Sequence, residues 1–356
     1  MPIFVGRGAP LGYGAGLAGV CGFKRQGRFG PTLETVGKAA EGCDVIVGAG
    51  AHQYAARSIA ALRDIPCVIA VYAPVSLLSP DLPPPGQAQE SSGPAANLRM
   101  WDDTRRSWNE RSLERVNANR TRLGLTPLAD VLGHILANRP WLAADAALAP
   151  APSTPGMQVV QSGAWILSDS KTLSPELEAF LSDGEPPVYF GFGSMPAAKK
   201  TSHTLIEAAR AAGRRMILSR GWADLEPLDD TSECIVVGDV SHQALFPRVA
   251  AVVHHGGAGT TTAAALAGVA QVAVPMFSDQ FYWSQRIRDL GIGSAVPMTT
   301  LNADALAAAL REAFEPAIAA RTRIVAANVA TNGAETAARR LVEYSGALLW
   351  HPGEPY

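Results

Sequence analysis

Hydrophobic positions along the chain form short unbroken runs. They are separated by longer stretches in which apolar residues recur every three or four places. DVIVGAG (44–50) is the first clear run, HQYAARSIAALRD follows with a helical period, and PCVIAVYAP completes a β-α-β unit. Runs of β-branched residues without polar alternation fit strands covered on both faces, as in a parallel sheet. The second half repeats the rhythm. VYFGFGS (188–194), RMILSRG, CIVVGDV, AVVHHGG and QVAVP are predicted strands, and TTTAAALAG and DQFYWSQRIRDLG are predicted helices. This half is predicted to be a doubly wound sheet of the α/β class, whose ligands sit beyond the C-terminal strand ends.

Between the halves, residues 97–123 are predicted helical with a charged wet face. Trp101 and Trp108 lie there at a spacing that fits packing, or the lining of a cleft. SPDLPPPGQAQESSGP is a loop by composition. The Pro-rich segment 149–156 divides the chain into residues 1–155 and 156–356. Residues 1–40 are Gly-rich and show no clear period.

The chain has 356 residues, a formal net charge of −2 and 17% charged residues. That balance argues against a disordered tail and offers no basic footprint for nucleic acid. No stretch approaches about 18 uninterrupted apolar residues, so no membrane span is predicted. Cys21, Cys43, Cys67 and Cys234 lack C-x-x-C spacing and are read as buried thiols of a reducing compartment. No signal peptide is evident, and the expectation is a soluble, cytoplasmic protein.

The segment His254-His255-Gly256-Gly257-Ala258-Gly259-Thr260-Thr261 ends a predicted strand and opens a helix. Free N–H groups and the helix dipole favour an anion there, and glycines let the backbone approach it. His255, Gly256, Gly257, Gly259 and Thr260 are therefore candidate phosphate ligands, with Thr261 as a further hydroxyl donor. His254 is expected to pack or hydrogen-bond in the sheet. Ser194 ends a second Gly turn facing the same crevice, or caps a helix. Ser219 and Trp222 follow a third strand, where Trp222 would lie beside a nucleobase or in the core. Asp279-Gln280 follows the fifth strand with acceptors and donors suited to sugar hydroxyls, although Asp279 alone would also serve as a cap.

Together these residues resemble the signature of the family 1 glycosyltransferases of the GT-B fold. The motifs that carry the resemblance are GAWIL, LSPELEAFL, PPVYFGFGS, ILSRGWADL, VVHHGGAGTT and DQFYW, between about Gly163 and Gly293. The bacterial branch acting on glycopeptide antibiotics, sterols and mycobacterial glycolipids looks most similar. The resemblance implies two Rossmann-like domains facing a cleft, with the last helix, about 333–346, packing back across the interface. It implies inverting, metal-independent transfer from UDP- or dTDP-sugar, a substrate rather than a cofactor, to a hydroxyl of a lipid, sterol or natural product. The diphosphate would meet Ser194, His255 and the Gly259–Thr260 turn. The base would meet Ser219, Trp222 and Val240, and the donor sugar Asp279 and Gln280. No metal site and no nucleic acid are implied. A monomer or weak dimer is expected, with peripheral membrane contact compatible with a lipid acceptor.

The family places an Asp or His base after the first strand of its N-terminal domain, in a G-S-R-G-D type loop. This chain has no such loop, so Asp279 and His52 are the candidate catalytic residues. The N-terminal domain reads as incomplete, from a misplaced start or a degraded gene, and the loss would bare the edge of a central strand. A non-catalytic nucleotide-sugar-binding remnant and a nucleotide-sugar epimerase are the alternatives. A literal G-x-G-x-x-G at Gly14, Gly16 and Gly19, with Glu34 beyond it, has only IFV before it and no predicted helix after it.

Overall fold

The computed structural model describes residues 3–5, 29–50, 53–86, 93–193, 195, 199–221, 224–227, 229 and 232–346. His52, Ser194, Trp222, Cys21 and the Gly14–Gly19 motif lie outside the described residues.

The first lobe contains β1 (Ile3–Val5), α1 (Phe29–Ala39), β2 (Val45–Ala49), α2 (Tyr54–Arg63), β3 (Cys67–Val71), α3 (Pro94–Arg122), α4 (Val131–Leu136), β4 (Trp141–Leu142) and β5 (Val160–Gln161). Its sheet runs β1-β2-β3-β4-β5. Two elements lie within residues 1–40, where the sequence shows no clear period. The strand β1 lies antiparallel on β2, pairing Ile3 with Val47 and Val5 with Val45, so three of the five β2 residues have a partner on that edge. The helix α1 carries Glu34 and packs against α2; Glu34 forms an i,i+4 ion pair with Lys38 rather than serving a dinucleotide motif. The strand β5 pairs with β4, so the first sheet extends past residue 155, where composition sets the boundary. Trp101 is buried with its indole N–H donated to the Leu82 carbonyl at 3.0 Å, and Trp108 packs on Tyr54. Both are packing residues. Cys43, Cys67 and Cys234 are free thiols and only half-buried, in place of the expected full burial.

The second lobe contains α5 (Pro175–Ser182), β6 (Val188–Gly191), α6 (Lys199–Ala211), β7 (Met216–Ser219), β8 (Cys234–Val237), α7 (His242–Leu245), β9 (Ala251–His254), α8 (Ala258–Leu266), β10 (Ala270–Ala273), α9 (Gln280–Asp289), β11 (Gly293–Ala295), α10 (Ala303–Ala313), α11 (Pro316–Ala326) and α12 (Gly333–Gly346). The sheet is parallel throughout, in the order β11-β10-β9-β6-β7-β8. That is the doubly wound 3-2-1-4-5-6 arrangement, which reverses between β6 and β9. The strands are apolar on both faces for a visible reason. Val188 and Phe190 of β6 enter one core cluster with Leu205 and Leu310, while Tyr189 enters another with Leu245 and Phe246. The sixth strand, β11, escapes a hydrophobic-run reading because its residues are Gly-Ser-Ala.

A third cluster joins the lobes. Leu142, Ala144 and Leu148 pack with Ala273, Trp283, Ile287 and Val325. Arg286 Nε donates to the Leu148 carbonyl at 2.7 Å, and the buried Asp145 accepts from Ala330 N at 3.0 Å. The chain crosses between lobes at Gly163 and returns near Gly333. The two crossings touch backbone to backbone, since a Cβ on Gly333 would lie 2.3 Å from the Ala164 carbonyl oxygen. Beyond that crossing α12 sets Ala337 against Val47, Val68 and Trp141 of the first sheet. No helix of the described residues is long and apolar enough to cross a membrane.

Candidate active site

The switch point between β6 and β9 brings three glycine turns together. Gly193 follows β6 at φ +57, Gly221 follows β7 at φ +46, and Gly256 follows β9 at φ +83. Such angles favour glycine. The first two turns touch, because a Cβ on Gly221 would lie 2.7 Å from the Gly193 carbonyl oxygen.

The β9–α8 turn is held from inside by His254, which is fully buried. Its Nδ1 accepts from Gly256 N at 3.1 Å, which leaves the proton on Nε2, 3.0 Å from Gln271 Oε1. Gln271 passes the contact on to the Thr261 carbonyl at 3.3 Å. Burial lowers the pKa of His254 to about 3, so the ring stays neutral in this role. One expectation is corrected here. The Gly256 N–H is spent on His254 and is no phosphate donor; Gly256 instead lets the turn pass close to α9, where a Cβ would lie 3.0 Å from the Gln280 carbonyl oxygen.

Gly257 is the N-cap of α8 and no side chain caps the helix. Thr261 is the first residue to close a helical bond, to the Gly257 carbonyl at 3.0 Å. The N–H groups of Ala258, Gly259 and Thr260 therefore have no intrahelical acceptor. Gly259 is exposed, and nothing lies within 4 Å of the place a Cβ would take. Thr260 is half-buried. The Thr261 hydroxyl donates to the Gly257 carbonyl at 2.9 Å, so it is not the extra ligand donor that the sequence suggests.

His255 sits over this turn. A Cβ on Gly257 would fall 2.4 Å from His255 Nε2, and a Cβ on Gly193 would fall 3.6 Å from its Cε1. The ring thus wedges between two of the glycine turns. Its Nδ1 is buried with no partner among the described residues, and burial lowers its pKa.

Asp279 occupies the N-cap of α9, yet its side chain caps nothing, which sets aside the capping alternative. It follows Ser278, a non-glycine residue at φ +59 whose carbonyl accepts from Gly86 N at 3.1 Å. Such a conformation costs about 1 kcal/mol or more and needs surrounding structure to hold it. Burial raises the pKa of Asp279, with the polar groups of Ser278 and Trp283 acting in the other direction. Gln280 is buried, and its Oε1 accepts from Met276 N at 2.8 Å and Phe277 N at 3.2 Å. The amide oxygen expected for a sugar hydroxyl is therefore used to clamp the loop. Its Nε2 faces Met195 Sδ at 3.5 Å and keeps capacity to donate.

Ser219 is buried with its hydroxyl against Tyr189, whose own hydroxyl lies 3.2 Å from His242 Nε2. Val240 packs its side chain into the same cluster. Both residues turn their side chains inward, away from the place where the sequence expects a base.

A cavity of about 750 Å³ opens between the lobes. Ala258, Gly259 and Thr262 form one wall, Asp279 and Trp283 another, and Tyr72, Ala143 and Trp165 come from the first lobe and the linker. Tyr72 meets Trp165 edge-on at 6.5 Å. Sequence reasoning missed Tyr72, although it directly follows β3, where the strand-end rule would have found it. Among the described residues no group of three His, Cys, Asp or Glu side chains could hold a metal ion.

The comparisons agree with this architecture. The family model described as erythromycin biosynthesis protein CIII-like, C-terminal domain, matches residues 223–343. Glycosyltransferase GtfC of Amycolatopsis orientalis is 44% identical over 315 residues, covering 87% of this chain and 76% of the relative. The vancomycin aglycone glucosyltransferase of the same organism is 43% identical over 314 residues, covering 87% and 77%. In three dimensions, the glycosyltransferase VinC, solved in complex with dTDP, superposes with a TM-score of 0.58 at 20% identity, covering 88% of this chain and 75% of that one. With more than two-fifths of its aligned residues shared with such enzymes over most of its length, the chain belongs to the GT-B glycosyltransferases.

Proposed function

We propose that the interlobe crevice binds a UDP- or dTDP-sugar and passes the sugar, with inversion, to a hydroxyl of a natural-product, sterol or lipid acceptor. The observation that carries this reading is the uncapped start of α8, with Ala258 and Gly259 in the cavity wall and the His255 ring lodged beside the same turn. Three N–H groups without an intrahelical acceptor and a helix dipole suit a diphosphate.

In the proposed reaction the acceptor oxygen bonds to the anomeric carbon as the bond to the diphosphate oxygen breaks. The electron pair of that bond goes to the leaving diphosphate, and the acceptor proton goes to a base. Negative charge grows where the α8 amides already point, so no reorganisation is needed to stabilise it. His255, neutral through burial, donates from Nε2 to a phosphate oxygen. Gln280 Nε2 turns from Met195 to a sugar hydroxyl. Asp279 is the carboxylate that the cavity wall offers as base or sugar ligand, and a raised pKa moves it toward the range useful for proton transfer.

The test is donor turnover by the purified chain with a phenolic natural-product acceptor, read by proton NMR at the anomeric position. Inverted product, lost in Asp279→Asn while dTDP binding persists, supports the reading. Retained configuration, or binding without any transfer or donor hydrolysis, refutes it.

A further inference from the structure

Trp283 of α9 is 1% exposed, and its indole nitrogen Nε1 is buried with no hydrogen-bond partner among the described residues. An indole N–H can only donate, and a buried donor left unused is costly. The ring lines the interlobe cavity. It also packs in one cluster with Leu142 and Leu148 of the first lobe and with Ala273 and Ile287 of the second, which fixes its orientation.

Asp279 is placed to take this donor. It stands one helical turn before Trp283, whose main-chain N–H donates to the Asp279 carbonyl at 3.1 Å. Side chains at that spacing share a helix face, and both residues line the same cavity. The Asp279 side chain caps nothing, so its oxygens are not committed to the start of α9. The Trp283 side chain favours the charged form of Asp279, against the burial that disfavours it. The contact is nevertheless not closed into a hydrogen bond, as the unpartnered Nε1 shows. Hydrogen bonds of this kind are often long before a ligand arrives, and a carboxylate is a stronger acceptor than the neutral acid.

We propose that Trp283 is a positioning residue of the crevice: its Nε1–H closes on the Asp279 carboxylate and fixes the direction in which that group faces the sugar and the acceptor. This role rests on the reading of Asp279 as base or sugar ligand. The other ionisable groups around Asp279 are Tyr72 across the cavity, His255 on the turn that passes Gln280 at Gly256, and Tyr282 and Arg286 on α9. Burial keeps both tyrosines and the histidine neutral at pH 7, with Tyr282 pushed up to about 12. Arg286 is turned away to the Leu148 carbonyl.

The experiment follows both groups by NMR in the full chain. In the wild type the Trp283 indole signal, one of seven, should move on the same curve as the Asp279 carboxyl when pH is varied, and Asp279→Asn should abolish the movement. In Trp283→Phe the Asp279 carboxyl should titrate higher by about one pH unit or more, and the acid limb of the donor-turnover profile should move up with it. A purely structural tryptophan would lower turnover at every pH without moving that limb. A shared titration curve in a chain that transfers no sugar supports the Trp283–Asp279 bond and refutes only the role of Asp279 in transfer. A wild-type indole signal that stays in place while Asp279 titrates overturns the proposal, whether or not the Phe variant folds. So does an unchanged Asp279 titration in folded Trp283→Phe.

Discussion

Replacing Gly257 by Ala perturbs the crevice with one added methyl group. The backbone at Gly257 has φ −74 and ψ 145, a conformation any residue adopts, so alanine adds no backbone strain. The added Cβ would lie 2.4 Å from His255 Nε2 and 3.1 Å from its Cε1. The imidazole must therefore swing out of its place beside Gly193. A hydrogen bond to a charged group contributes about 1.5–3 kcal/mol, so loss of the His255–phosphate contact predicts dTDP or UDP binding weaker by about 13- to 160-fold. Losing glycine at an N-cap costs about 1 kcal/mol or less, so the folded state survives. Calorimetric titration alongside thermal unfolding measures both quantities. Wild-type nucleotide affinity in a folded Gly257→Ala chain would refute the role given to His255.

Other predictions follow from the same contacts. Gly333→Ala forces a Cβ to within 2.3 Å of the Ala164 carbonyl oxygen at the crossing of the lobes, and overpacking of this kind lowers stability by about 1–3 kcal/mol, measurable by urea unfolding. His254→Ala strands the buried Gly256 N–H and Gln271 Oε1, and it should lower stability by at least about 2 kcal/mol and loosen the nucleotide site with it. Asp279 has a raised folded pKa, so it stabilises the fold only where it is protonated, and that contribution is lost as pH rises through its folded pKa. Asp279→Asn should therefore raise the unfolding temperature at pH 7, and the gain should vanish below the ordinary carboxylate value of 3.8. His254 and His134 carry the opposite sign. Held neutral down to about 3 while the unfolded chain protonates near 6.5, each removes about 1.4 kcal/mol of stability per pH unit as pH falls through that window.

Much of this was legible in the chain itself. The buried strands announced themselves because both of their faces are apolar, as Val188, Tyr189 and Phe190 illustrate by entering opposite cores. The long helix α3 was legible in the main, over residues 97–123, but it begins at Pro94, inside the stretch that composition reads as a loop. Elements without bulk were not: β11 is Gly-Ser-Ala, and β4 and β5 have two residues each. At the candidate site, sequence placed the proposed residues just after the strand ends but did not give the partners their polar groups take. Whether the Gly256 N–H faces a ligand or His254, and whether the Gln280 oxygen faces a sugar or its own loop, depends on rotamers and turns that no spacing encodes. The raised φ of Ser278 is another such case, since serine gives no warning of a left-handed turn.

The central claim is that the first turn of α8 receives the donor diphosphate, and the amide signals of Ala258, Gly259 and Thr260 report on it directly. Titration of the labelled chain with dTDP, followed by proton–nitrogen correlation NMR, should move these three resonances together along one saturation curve. Saturable dTDP binding that leaves all three in place would contradict the account.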